Sequence, residues 1–324
     1  MTIASIIEFQ NVTKQYGDGT KAVDSLNLEI KSGEFIVLIG PSGCGKTTTL
    51  KMINRLIEPT SGSILIKGKN VGSYDVDRLR WNIGYVLQQI ALFPHMTVED
   101  NILVVPEMKQ SDKETMKRRA HELMEQVGLD PAVFAQRKPS ELSGGQQQRV
   151  GVIRAMAADP EILLMDEPFS ALDPVAREKL QEDLLLLKKT FGKTTVFVTH
   201  DMNEALKLAD RICVMREGRI VQTGTPDELR RNPAGAFVRE FIGRGEGGLH
   251  EVLDLRRWVT AFPAEPVHPQ IVLPADIHTD RLVSVMADHE AAGVEDGGEL
   301  IGMINRESAF RLLASEGRGK VHHE

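Results

Sequence analysis

The sequence predicts an α/β protein with a mostly parallel sheet, and three short apolar runs carry that prediction. "FIVLIG" (35–40), "EILLMDEP" (161–168) and "TTVFVTH" (194–200) are apolar over most of their length and show no polar alternation. A strand wetted on one face alternates apolar and polar residues, so these runs suit strands covered on both faces. Helical stretches separate them: "TTTLKMINRL" (47–56) follows the first, and "PVAREKLQEDLLLLKKTFG" (174–192) lies between the second and third. Alternating strand and helix is the pattern of α/β domains. Each run ends in polar or charged residues, at the strand ends beyond which such sheets bind ligands.

The remaining elements follow in order. From about Gln88 to Met156 strand-like runs are scarce, and "SDKETMKRRAHELMEQVGL" (111–129) has an amphipathic helical pattern with Ser111 and Glu114 as a capping box. This segment is expected to be a helical subdomain inserted into the α/β core. "RICVMREGRIVQTG" (211–224) predicts an edge hairpin turning at Glu217-Gly218. The glycine-rich "GRGEGGLH" (243–250) marks a boundary, and residues 250–324 form a small appendage.

Composition narrows the class. With 41% hydrophobic and 26% charged residues in 324, the chain is of ordinary soluble globular type. A net charge of −7 argues against generic binding to nucleic-acid backbones. Two cysteines, Cys44 and Cys213, imply no disulfide framework and fit a reducing cytoplasm. The start "MTIASIIEFQNVTKQ" lacks a signal-peptide pattern, and no apolar run approaches the length of a membrane span. A role in transport would therefore need another chain to supply the channel.

The chemistry begins at "GPSGCGKTTTL" (40–50). Gly40 to Thr47 fits G-x-x-x-x-G-K-[ST], the phosphate-binding loop. Its glycines let backbone N–H groups converge on phosphate oxygens. Lys46 supplies a charge for the β- and γ-phosphates, Thr47 offers a hydroxyl to Mg²⁺, and the next helix turns its positive end to the anion. "ILLMDE" (162–167) is the expected companion, with Asp166 delivered to the Mg²⁺ shell and Glu167 placed to orient or deprotonate an attacking water. Cys44, inside the loop, reads as a small filler, and Cys213 as core.

"LSGGQQQR" (142–149) makes the reading specific. It resembles the signature motif of ABC-type ATPases, and other marks of that family occur in the family's order over residues 5–243. The resemblance implies a fold with an N-terminal antiparallel β part beside the parallel sheet, and ATP with Mg²⁺ as ligands. It implies that Tyr16 stacks on adenine and that Pro41, Ser42, Gly43, Cys44, Gly45 and Thr48 line the phosphates with Gly40, Lys46 and Thr47. Gln88 corresponds to the glutamine that reaches the metal and the attacking water. "SALD" (170–173), ending in Asp173, corresponds to the loop that crosses a dimer interface, and His200 to the switch histidine at the γ-phosphate. Ser143, Gly144, Gly145 and Gln146 precede an apparent helix and can offer N–H groups to phosphate. In the family two subunits pair head to tail, each signature closing over the other's ATP, so the expected partner is a second copy of this chain.

The complete set Lys46, Asp166, Glu167 and His200 speaks against a regulator that binds nucleotide without turnover. One ATPase core and no long coiled-coil insertion speak against most soluble ABC ATPases acting on ribosomes or DNA. "QQIALFPHMTVEDNI" (88–102) resembles the importer segment that receives a helix from a membrane permease. With "VVPEMK" (104–109) it resembles the osmoprotectant branch, which imports quaternary amines such as glycine betaine, choline and carnitine; a polyamine or metal-ion importer is the alternative. The implied setting is the cytoplasmic face of the plasma membrane, with permease subunits and, indirectly, a periplasmic or lipid-anchored solute-binding protein. In the appendage, "DGGELIGMINRESAFRLLA" (296–314) resembles the second half of a cystathionine-β-synthase-type (CBS) module, with "DIHTDRLVSVMADHEAAG" (276–293) as its helix and the intervening strand reduced to "VE". A packing or dimerisation tail is the plainer reading. Arg256, Arg257, Arg281, Arg306 and Arg311 are the cations that a basic patch there would have to gather.

Overall fold

The structure, a computed structural model, describes residues 5–318 except 111, 247–251, 261–268 and 270. The chain divides into two compact units, Met1–Ile242 and Gly243–Glu324.

The first unit opens with strands β1 (Ser5–Gln15), β2 (Lys21–Lys31) and β3 (Phe35–Ile39), then helix α1 (Lys46–Ile53). Strands β4 (Ser61–Ile66) and β5 (Lys69–Asn70), helix α2 (Val76–Trp81) and strand β6 (Ile83–Val86) follow. Helices α3 (Val98–Met108), α4 (Lys113–Gln126), α5 (Pro131–Phe134) and α6 (Gly144–Met156) then run without a strand among the described residues. The chain returns through β7 (Ile162–Asp166), α7 (Pro174–Phe191), β8 (Thr194–Thr199), α8 (Met202–Leu208), β9 (Arg211–Arg216), β10 (Arg219–Gly224), α9 (Pro226–Arg231) and α10 (Ala236–Glu246).

Two sheets organise this unit. The central one has the order β10-β9-β3-β8-β7-β6, parallel except for the edge hairpin β9–β10. The other is antiparallel, ordered β2-β1-β4-β5. Burial on both faces of the central strands is literal. In β3, Phe35, Val37 and Ile39 join the helical-side core, while Ile36 and Leu38 join the core shared with α1 and the antiparallel sheet. β7 and β8 divide the same way, with Phe197 packed against Phe35 and Phe169 at ring distances of 5.8 and 5.4 Å. No alternation was needed because neither face meets water. The expected hairpin turns at Glu217 (φ 50°) and Gly218 (φ 76°), the two left-handed residues that match strand twist.

Helix starts are set by side-chain caps. Thr97 and Asp100 form a capping box on α3, and Asp173 accepts the Ala176 N–H of α7 at 3.0 Å. The α4 cap differs from expectation: Asp112 accepts the Thr115 N–H at 2.9 Å, and Ser111 lies outside the described residues.

The second unit holds β11 (Val252–Asp254), β12 (Val272–Pro274), β13 (Asp276–His278), α11 (Thr279–Asp288), β14 (Ala291–Asp296), β15 (Glu299–Asn305) and α12 (Arg306–Arg318). Its core gathers Leu253, Leu255, Leu273, Ile277, Leu282, Met286, Val294 and Ile304 with their neighbours. The strand expected to shrink to Val294-Glu295 is the six-residue β14, paired with both β12 and β15. Alanine and glycine are weak strand signals, but here packing selects them: a Cβ on Gly293 would stand 2.7 Å from Pro269 Cγ. Three of the five arginines are engaged locally. Arg256 binds Asp254, Asp276 and Asp296, Arg306 donates to the Ala287 and His289 carbonyls, and Arg311 pairs with Glu307. Among the described residues, no helix is long and apolar enough to cross a membrane.

Candidate active site

Strand β3 ends at Ile39 and hands the chain to the loop from Gly40 to Gly45, which folds over the start of α1. Gly45 takes φ 101°, and a Cβ there would stand 2.2 Å from the Ala22 carbonyl oxygen, so the position admits only glycine. Pro41, Ser42 and Gly43 are exposed, Cys44 is buried, and Thr47 and Thr48 are half-buried. Burial raises the Cys44 thiol above its usual range, which leaves it a poor nucleophile.

Lys46 decides what this loop suits. It is 5% exposed, and its ammonium donates to the Gly40 and Pro41 carbonyls at 2.8 and 3.0 Å. Among the described residues no carboxylate pairs with it. A cation so buried without an anion is costly. The first-turn N–H groups of α1 also lack helical acceptors. An anion seated in the loop satisfies both.

Beside it, Thr47 donates its hydroxyl to Asp166 Oδ1 at 2.7 Å, and the Tyr85 hydroxyl lies 3.4 Å from Asp166 Oδ2. Asp166 is 4% exposed at the end of β7. Burial first, and then the Asp166 charge, push the Tyr85 phenol far above an ordinary tyrosine, so it stays a donor. Hydroxyl and carboxylate oxygens are hard ligands of the kind Mg²⁺ takes while keeping the rest of its shell from phosphate and water. Among the described residues no group of three or more His, Cys, Asp or Glu forms an all-protein metal cage. The residues present fit Mg²⁺ carried with a phosphate ligand.

Glu167 follows with φ 45°, a left-handed conformation uncommon for glutamate. Its N–H donates to the Val198 carbonyl at 3.0 Å, and Ser170 donates N–H and hydroxyl to its carbonyl. Its carboxylate Oε2 lies 3.0 Å from His200 Nδ1, just beyond β8. The strand ends thus bring Lys46, Thr47, Asp166, Glu167 and His200 to one edge of the sheet.

No described hydrogen bond joins the other expected residues to this cluster. Ser143 caps α6 in a reciprocal box with Gln146, at 2.9 and 3.3 Å, and a Cβ on Gly144 would meet nothing within 4 Å, leaving an open cap. Gly145 packs near Ala176. Asp173 is exposed at the head of α7. Tyr16 is 44% exposed after β1, with Lys14 Nζ 5.4 Å from its ring centre. Gln88 is exposed in the loop after β6. No described hydrogen bond joins Ser143–Gln146 to the loop from Gly40 to Thr48 within one chain.

The family model described as "ABC transporter" matches residues 23–170. The osmoprotectant import ATP-binding protein OsmV of Salmonella typhimurium is 49% identical over 315 residues, 94% of this chain and 80% of the relative. The chain belongs to the ABC transporter family. The glycine betaine/carnitine/choline transport ATP-binding protein OpuCA of Bacillus subtilis is 58% identical over 239 residues, and the match spans 74% of this ABC ATPase and 63% of that longer relative. A dimeric ATP-binding cassette, MJ0796, in a post-hydrolysis state bound to ADP and phosphate, shares 38% identity with a TM-score of 0.61, covering 68% of this chain and 98% of that one.

Sequence reasoning passed over four residues of the ABC site region. Tyr85 sits in the quoted run "IGYV" but reads as ordinary strand. Arg177, Thr199 and Glu204 line one small pocket of about 40 Å³ with Glu167 and His200. Glu204 is 5% exposed, bonded to the Thr199 hydroxyl at 2.5 Å, and burial pushes its carboxyl up to about 7. A lone glutamate near a helix start gives no sequence signal of burial.

Proposed function

We propose that this protein is the ATP-hydrolysing subunit of an importer for quaternary-amine osmoprotectants such as glycine betaine, choline or carnitine. The observation that carries the reading is the buried, carboxylate-free ammonium of Lys46 beside the Thr47–Asp166 and Glu167–His200 pairs. The loop N–H groups and Lys46 bind the phosphates of ATP. Thr47, Asp166 and Gln88 hold Mg²⁺, which neutralises phosphate charge when bound. Glu167 accepts a proton from the attacking water, and His200 holds that carboxylate and faces the γ-phosphate. Tyr16 stacks on the adenine.

Ser143–Gln146 and Asp173 act across a head-to-tail homodimer, a reading supported by the open cap at Ser143 and by the dimeric cassette the chain resembles. Residues 1–243 form the ATPase domain, with its helical part at 88–156 taking up a permease helix at the inner face of the plasma membrane. Residues 250–324 form a CBS-like or dimerising appendage. The names of the relatives support the solute class.

The test is ATPase activity of the reconstituted transporter with glycine betaine, choline, carnitine or spermidine, with Glu167→Gln as control. A quaternary amine is expected to stimulate turnover, and Glu167→Gln to bind ATP, accumulate as a closed dimer and turn over at least about 100-fold more slowly. Stimulation by spermidine alone overturns the solute class, and wild-type turnover by Glu167→Gln overturns the role of Glu167.

A further inference from the structure

The turn that carries His200 is built around two carboxylates with different jobs. Asp201 caps α8, accepting the Asn203 and Glu204 N–H groups at 2.8 and 3.4 Å. The cap is therefore complete without Glu204. Glu204 instead turns its carboxylate inward, where Thr199 donates its hydroxyl at 2.5 Å, and that same hydroxyl oxygen accepts the Asp201 N–H at 3.0 Å. Thr199 is 2% exposed and Glu204 5%. The two bonds close a ring through Thr199, Asp201 and Glu204, with His200 on its outer side and His200 Nδ1 3.0 Å from Glu167 Oε2.

A leucine at position 204 would pack in a buried site without a desolvation cost, so a buried carboxylate needs a compensating use. We propose that Glu204 is a positioning residue of the ATPase reaction: through the Thr199 hydroxyl it fixes the turn that holds His200 against Glu167. The inference rests on the ATPase reading given above.

The charged groups facing Glu204 are Arg177 from α7, whose buried Nε lacks a hydrogen-bond partner, Glu167 from the loop after β7, and His200 and Asp201 from its own turn. An ionised Glu204 accepts the Thr199 hydroxyl's hydrogen bond in charge-assisted form, the short and strong kind. A protonated Glu204 gives a weaker neutral bond and removes the negative charge facing Arg177. Burial places that change at about pH 7.

The experiment compares full-length wild type with Glu204→Gln in steady-state ATPase assays from about pH 6 to about pH 8, alongside ATP affinity. Glutamine keeps the acceptor for Thr199 but cannot ionise. The wild-type to variant ratio of kcat is expected to rise from near one at the acid end to about tenfold at the basic end, within the penalty for a misplaced catalytic group, with ATP affinity unchanged. A ratio that is flat with pH, or equal kcat throughout, overturns this proposal alone. A wild type without ATPase activity overturns the ATPase reading and this proposal with it.

Discussion

The burial that equips Glu204 for its position also sets a stability prediction of opposite sign to the kinetic one. An ordinary glutamate loses its proton at 4.5, whereas burial holds Glu204 protonated up to about 7. Between those values the folded protein retains a proton that the unfolded chain has released, so stability falls as pH rises through that window. Above it, holding the carboxylate ionised costs about 3 kcal/mol, at 1.36 kcal/mol per tenfold change. Glutamine removes that cost but turns an NH₂ group toward the Arg177 guanidinium, which offsets about 1 kcal/mol. The net expectation for Glu204→Gln is a gain of about 2 kcal/mol near pH 8, or roughly 4–8 °C in the unfolding temperature for a unit of this size. Near pH 5 the gain disappears. Calorimetry of both proteins at the two pH values, following the transition of the first unit, provides the check. A variant less stable than wild type near pH 8, or one whose advantage is the same at both pH values, refutes the account of Glu204 burial. Confirmation would place Glu204 among residues that lower stability where activity requires it.

Two further substitutions probe the packing of each unit. Gly84 lies in β6 against α6, and a Cβ there would stand 2.3 Å from the Ala155 carbonyl oxygen and 2.6 Å from Leu163 Cδ2. Gly84→Ala should therefore destabilise by about 2 kcal/mol through forced separation of strand and helix, read as a lower denaturant midpoint; a change under about 0.5 kcal/mol argues against that contact. In the second unit Arg256 joins carboxylates from β11, β13 and β14, and it holds Asp276 and Asp296 below the usual carboxylate range. A depressed carboxylate stabilises the fold above the ordinary value of 3.8, and that stabilisation is lost as pH falls through its lowered value. Arg256→Ala should lower the unfolding temperature of this unit at neutral pH, with the difference shrinking in strong acid and in about 1 M salt, where screening acts within about 3 Å. A difference indifferent to salt and pH argues for lost packing in place of lost charge.

What could be read from the sequence follows from how local each signal is. β3, β7 and β8 were legible because burial on both faces writes itself as an unbroken apolar run. The Lys46 loop was legible because its glycines and lysine lie within one turn of chain. β14 was underestimated because Ala291, Ala292 and Gly293 carry little strand preference, and Pro269, which selects the glycine, is distant in sequence. The Tyr85–Asp166 contact spans 81 residues and depends on the register of β6 on β7. Glu204 was invisible for a related reason: burial at that site comes from α7 and β8 around it, while its own neighbours read as an exposed helix start.

The backbone bond from Glu167 to Val198 has a consequence for where the machine can flex. Strands β7 and β8 are neighbours in register, and this bond continues their ladder one residue past Asp166. Glu167 is thus mounted on the ladder of the sheet itself, whereas His200 lies beyond the last residue of β8, in the turn braced through Thr199. Of the pair, Glu167 is then the fixed member, and any adjustment of its distance to His200 falls to the turn after β8.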